Sequence, residues 1–211
     1  MVTERLLYQI IMIKYLFTTL FAFNVVAKDI NDFPKLIEKM YSAQGNFSQK
    51  VIDQNGNLVQ KVSGIFSFKK PNFFRWKYTE PFESQIISDG ELLYLYDPDL
   101  KQVVISSLDK LGGVSPAMLL VSGDIHNSFK LNYLKNIESR DWFQATPKDK
   151  SKSTFKSVLI NFEAEKIKEM RVLDNFEQTT IIIFKSLVVN NKINDEFFLF
   201  NTPDNVDVIK N

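Results

Sequence analysis

The sequence predicts a mainly β (α+β) fold, in which about eleven short antiparallel strands form one large curved sheet or barrel. Apolar and polar residues alternate along most of the chain, and polar turn signals separate the alternating stretches. A helical period is confined to two or three short apolar segments. Because an apolar sheet face must be covered, these helices are expected to form a lid over an open half-barrel.

The two clearest helical segments lie at residues 32–40 and 115–121. Asp32 can cap the first, and Pro116 fits the first turn of the second with Ser115 as its cap. Both are apolar on the side that would face the sheet. The apolar residues concerned are Phe33, Leu36, Ile37 and Met40 in the first segment, and Met118, Leu119, Leu120 and Val121 in the second.

Alternation is clearest in two adjacent segments, residues 58–68 and 73–79. In the first, Leu58, Val62, Phe66 and Phe68 share one face. Strands resume near Phe129 and continue to residues 197–200. Turns are predicted between the strands at Asn55-Gly56, Asp89-Gly90, residues 96–99, 147–151 and 163–166, and Asp174-Asn175.

Composition excludes several classes of function. Hydrophobic residues make up 45% of the chain and charged residues 24%, as in a globular protein, and the formal net charge of +1 gives no sign of a nucleic-acid-binding surface. With no cysteine and a single histidine, His126, thiolate catalysis and Cys- or multi-His metal sites are excluded. We find no Ser-His-Asp pattern, phosphate loop or stand-out carboxylate pair, so we expect neither an enzyme nor a bound cofactor.

The N-terminus has the pattern of a secretory signal peptide, residues 1–27. Lys14 precedes a short apolar run, and small residues at Val25 and Ala27 favour cleavage after Ala27. A membrane anchor is the alternative, although Gln9 and Lys14 interrupt its apolar stretch. Translation can begin at Met1 or Met12. Cleavage leaves residues 28–211 as one predicted domain, with no internal boundary.

A series of short motifs resembles the outer-membrane lipoprotein carrier family, LolA. Each motif is weak alone, but they follow the family's order along nearly the whole mature chain. The single residue Pro81 belongs to the same series, between residues 76 and 88. The motifs are FSQ (residues 47–49), GIF (64–66), KPNFFRW (70–76), SDG (88–90), LYLYDP (93–98), SPAMLL (115–120), FLFNTP (198–203) and VDV (206–208).

The resemblance implies an open half-barrel with a helical lid over an apolar cavity. It also implies a monomeric periplasmic shuttle that binds the acyl chains of lipoproteins. Such a shuttle takes its cargo from an inner-membrane ABC transporter and delivers it to an outer-membrane acceptor similar to LolB. That acceptor is itself a lipoprotein, so the absence of cysteine here favours the carrier.

The resemblance also assigns roles to individual residues. The family's basic residue before the strand proline, usually Arg, hydrogen-bonds to the lid; here it is Lys70, and Arg75 is a second candidate for this latch. Phe74 corresponds to the family's cavity-facing aromatic residue, and Leu120 to the lid position that meets the latch. The residues expected to line the cavity are Phe66, Phe74, Trp76, Met118, Leu119 and Leu120.

Two other interpretations of these residues remain open. The aromatic residues of the strands are also typical of an ordinary core, and Lys70 and Arg75 of solvated surface charges. The main functional alternative is a periplasmic sensor or regulator that uses the same fold to bind lipid or lipoprotein as a signal.

Overall fold

The structure, a computed structural model, describes residues 32–108, 119–121 and 125–210. The predicted signal peptide and residues 115–118 of the predicted lid therefore lie outside the described residues. Within them, no helix is long and apolar enough to cross a membrane.

Twelve strands, numbered β1 to β12 along the chain, form one sheet, where about eleven were predicted. Every strand pairing between described residues is antiparallel except that of β6 with β12, which is parallel. The strands are β1 (Ser42–Ile52), β2 (Leu58–Lys69), β3 (Phe73–Glu80), β4 (Ser84–Asp89), β5 (Leu92–Asp97), β6 (Gln102–Ser107), β7 (Phe129–Ile137), β8 (Arg140–Pro147), β9 (Phe155–Glu163), β10 (Lys166–Asp174), β11 (Thr179–Val189) and β12 (Asp207–Lys210).

The sheet is open. Its strand order is β12-β6-β5-β4-β3-β2-β1-β11-β10-β9-β8-β7, and no pairing between described residues joins β7 to β12. The chain thus crosses the middle of the sheet at β1 and β11, which pair directly. The predicted mainly β, open architecture is confirmed.

Within the ranges that the structure describes, helical structure is limited to short segments. Helix α1 (Asp32–Lys39) lies where the sequence predicts it and buries Phe33, Leu36 and Ile37. A second helix, α2 (Ile125–Ser128), is a single turn. Two 3₁₀ helices follow, at Lys150–Lys152 and Asp195–Phe198.

The largest core lies between one face of the sheet and α1. We call this the inner face of the sheet; residues 119–121 are buried in the same core. Phe33 of α1 stacks on Phe143 of β8 with 5.1 Å between ring centroids and meets Phe162 of β9 edge-on at 6.1 Å. The helix is therefore fixed to the half of the sheet that contains β8 and β9.

The predicted turns join the strands as expected. Between β1 and β2, Gly56 has φ +86°, and the Asp53 carboxylate accepts hydrogen bonds from the backbone N–H groups of Asn55 and Asn57. Gly90, between β4 and β5, has φ +100°. Both conformations favour glycine, which is why Asn-Gly and Asp-Gly predict these turns.

The C-terminal region differs from the prediction. Residues 197–200 were expected to extend a strand, but Phe198 ends a 3₁₀ helix instead. Phe198 is completely buried and lies 5.5 Å from the ring of Phe73, while Phe200 packs on Tyr94 at 5.2 Å. Apolar side chains here thus pack on the outer face of the sheet rather than pairing as a strand.

Candidate functional site

An aromatic surface runs across the centre of the inner face. Phe66 and Trp76 are paired neighbours on β2 and β3, with ring centroids 5.5 Å apart. The next pair on the same face is Phe68 with Phe74, and the ring centroid of Phe74 lies 5.9 Å from that of Trp76. Alternation therefore places the predicted site residues Phe66, Phe74 and Trp76 together on one face, as expected.

Two further aromatic residues complete this surface. The ring centroid of Phe47 of β1 lies 4.0 Å from that of Trp76, and the centroid of Phe184 of β11 lies 4.9 Å from that of Phe66. All are almost completely buried. We call the set the aromatic floor; it consists of Phe47, Phe66, Phe74, Trp76 and Phe184.

The cover over the inner face consists, among the described residues, of α1 and residues 119–121. Leu119 and Leu120 are 3% and 1% exposed and belong to the same buried cluster as the aromatic floor. The predicted lid residues Leu119 and Leu120 thus share one core with the predicted cavity residues. Met118, predicted to join them, lies outside the described residues.

Lys70 contacts the cover directly. It follows β2, and its Nζ donates a hydrogen bond to the carbonyl oxygen of Ile37 in the last turn of α1. The Ile37 carbonyl also accepts from the backbone N–H of Met40 over 3.2 Å, and carbonyls in the last turn carry the negative end of the helix dipole, so an ammonium group is stabilising there. Burial lowers the pKa of Lys70, against a smaller opposing effect of Glu38.

Arg75 holds a different segment. Its Nη2 donates to the carbonyl oxygen of Leu199 over 3.0 Å, and its guanidinium lies 5.1 Å from the ring centroid of Phe197. Residues 197 and 199 belong to the C-terminal segment on the outer face. The two latch candidates therefore contact opposite sides of the sheet, since Arg75 alternates with the inward-facing Phe74 and Trp76 along β3.

A pocket of about 460 Å³ opens at the end of the inner face near the β1–β2 and β3–β4 turns. We call it the mouth pocket. This pocket was not predicted from the sequence. The change from apolar Val62 to polar Gln60 along one face of β2 is the feature that indicates a polar end there. It is lined by Gln49, Gln60, Val62, Tyr78, Pro81, Phe82 and Ser84.

The described residues contain no group of three or more His, Cys, Asp or Glu side chains placed to hold a metal ion. The inner face combines an apolar surface with a polar end at the mouth pocket. Such a surface suits an amphiphilic ligand.

Comparison with known proteins identifies the same family as the motifs. Residues 38–201 match the family model described as outer membrane lipoprotein carrier protein LolA. An outer-membrane lipoprotein carrier protein of Nitrosospira multiformis is 38% identical over 197 residues, which are 92% of this chain and 95% of that protein. One from Nitrosomonas europaea is 34% identical over 188 residues, 88% of this chain and 91% of that protein.

A solved structure shares the fold. The crystal structure of a LolA superfamily protein from Nitrosomonas europaea superposes with a TM-score of 0.52 at 14% sequence identity, and the match covers 82% of this chain and 99% of that chain.

Proposed function

The chain belongs to the outer-membrane lipoprotein carrier family, LolA, and on that premise we propose that it carries lipoproteins by burying their acyl chains against the aromatic floor. In this proposal α1 and residues 119–121 form a lid that moves aside to admit the chains. The observation that carries the proposal is the shared core of floor and cover, which becomes an apolar site when the cover moves.

Transfer of acyl chains sets two opposing physical requirements. Each methylene removed from water contributes about 0.8 kcal/mol, so the carrier needs a large apolar surface. It must also release its cargo, so the lid must be only modestly stable. The floor meets the first requirement. Lid opening must overcome the hydrogen bond from Lys70 to Ile37, which contributes about 1 kcal/mol net, in addition to the packing of Phe33 on the sheet.

The proposal includes the compartment and the partners. Residues 1–27 direct the chain to the periplasm and are removed there. The carrier receives lipoproteins from an inner-membrane ABC transporter and passes them to an outer-membrane acceptor. It acts as a monomer, by binding rather than by catalysis.

We expect the mature protein to release lipoproteins from spheroplasts into the soluble fraction. Phe74→Asn should retain at least about tenfold less lipoprotein, because it places an amide without a partner in the apolar floor. The measurement is immunoblotting of soluble lipoprotein after incubation with each folded variant. Phe176→Asn is the matched control, because Phe176 is 82% exposed in a turn.

Release by neither the wild type nor the control, with both folded, contradicts a carrier function. Stable binding of lipoprotein without any transfer to outer-membrane vesicles favours the sensor alternative instead.

The two latch candidates are predicted to behave differently. Lys70→Leu removes the donor to α1, so we expect release of bound lipopeptide to become about fivefold faster. Arg75→Leu removes a contact on the outer face and should leave the release rate within about twofold while lowering stability. Stopped-flow release measures the rates. Faster release in Arg75→Leu alone would assign the latch to Arg75.

A further inference from the structure

The inner face changes in polarity along its strands. At the aromatic floor, Phe66 of β2 pairs with Trp76 of β3. The next pair on this face towards the mouth pocket is Gly64 with Tyr78, and Tyr78 also pairs with Ser84 of β4. Residues that face each other across strands share one side of the sheet, so the polar groups continue the floor.

The same change occurs between β1 and β2. Gln49 pairs with Val62, the last strongly buried apolar residue of β2 on this face, and Gln60 follows on the same side. The mouth pocket therefore has an apolar inner end and a rim that carries two amides and two hydroxyls. The described structure thus places hydrogen-bonding groups where an apolar ligand lying on the floor would end.

Trp76 links the floor to the pocket. It is 3% exposed, and its Nε1–H makes no hydrogen bond of normal geometry, although the Tyr78 hydroxyl lies close enough to interact with it. Its ring centroid lies 6.4 Å from that of Tyr78, which lines the pocket. A buried N–H without a well-aligned acceptor is costly, and such a group is expected to gain a better partner when the site is occupied.

The Tyr78 hydroxyl lies in the same polar group. Burial raises its pKa, and hydrogen bonding to its oxygen from the Trp76 and Gln49 side chains partly opposes this effect, so the hydroxyl stays protonated and its own O–H can donate at neutral pH. The end of the floor therefore offers the indole N–H, the phenol O–H and amide N–H groups as donors. A ligand that satisfies them must carry acceptors, and an apolar chain has none.

Resting on the proposed function, we propose that the mouth pocket binds the carbonyl-bearing linkage of the cargo, the ester and amide groups that join acyl chains to the lipoprotein. Trp76 and Tyr78 donate hydrogen bonds to these carbonyl oxygens, and Gln49 and Gln60 extend the polar rim. The chains lie on the aromatic floor, and the linkage sets how deeply they enter.

The test compares two synthetic lipopeptides with the mature protein. One has a diacylglyceryl-cysteine head with ester carbonyls, and the other is its dialkyl ether analogue with equal chain length. We expect the wild type to bind the ester lipopeptide about five- to tenfold more tightly, as measured by calorimetric titration. Tyr78→Phe should reduce that ratio towards one by weakening ester binding more than ether binding. Trp76→Phe also alters the aromatic floor, so it should weaken binding of both lipopeptides, that of the ester more strongly, and the ratio is again the readout.

A pair of glutamine variants provides a readout that does not alter the floor. Gln49→Leu should lower the ester-to-ether ratio, whereas Gln85→Leu should retain it, because Gln85 pairs with Lys77 on the outer face. Equal binding of both lipopeptides by the wild type, or an unchanged ratio in Trp76→Phe and Tyr78→Phe, overturns the mouth-pocket proposal and leaves the carrier function standing. Binding of neither lipopeptide means that the proposed acyl site itself fails.

Discussion

We expect Gly64→Ala to lower the free energy of unfolding by about 3 kcal/mol. A Cβ at Gly64 would lie 2.0 Å from the carbonyl oxygen of Lys77 and 2.8 Å from the ring of Phe47. The oxygen belongs to the backbone of β3, so relief of the clash requires β2 and β3 to separate. The ring belongs to the aromatic floor, which would have to shift as well.

Urea unfolding monitored by circular dichroism measures this loss. Gly56→Ala is the matched control, because its Cβ meets no atom within 4 Å and its φ of +86° is the sole source of strain. That variant should lose only about 1 kcal/mol. A loss in Gly64→Ala no larger than in Gly56→Ala would show that the two strands adjust freely.

The second large effect is expected for Phe33→Ala, with a loss of about 3 to 5 kcal/mol. Phe33 is completely buried and contacts Phe143 and Phe162, so its ring is the main anchor of α1 on the sheet. Without it the helix detaches more readily and exposes the inner face. The variant should therefore also bind a hydrophobic dye such as ANS more strongly than the wild type.

Urea unfolding and dye fluorescence measure the two effects separately. Phe176→Ala removes the same ring from an exposed turn and should change neither quantity. Loss of stability without increased dye binding would mean that α1 does not shield the apolar surface.

Local patterns were sufficient to predict the sheet. Alternation along β2 and β3 placed Phe66, Phe68, Phe74 and Trp76 on one face, because the side-chain period of a strand is two. The Asn-Gly and Asp-Gly turns located the hairpins for a similarly local reason. Helix α1 was predicted from a single apolar face. In each case the residues carry the signal within their own segment.

Features that depend on distant contacts were not predicted. Strand β12 is exposed at every position and shows no alternation, so only its pairing with β6 defines it. Residues 197–200 look like a strand because they are apolar, but their rings pack on the outer face.

The contacts of the two latch candidates also depend on distant parts of the chain. The resemblance predicts that Lys70, or Arg75 in its place, contacts the lid, but which carbonyl each contacts depends on how α1 and the C-terminal segment lie on the sheet. The latch role comes from the resemblance alone, and the structure shows which carbonyl each of the two residues contacts.

The open strand order has a consequence for the range of cargo. In a closed barrel the diameter is fixed by the number of strands and their stagger, so widening it breaks backbone hydrogen bonds. Here no pairing between described residues ties β7 to β12. The two halves of the sheet can spread or draw together through small changes of twist while every ladder stays intact. If acyl chains bind on the aromatic floor as proposed, this movement would let one carrier match the site to chains of different length and number.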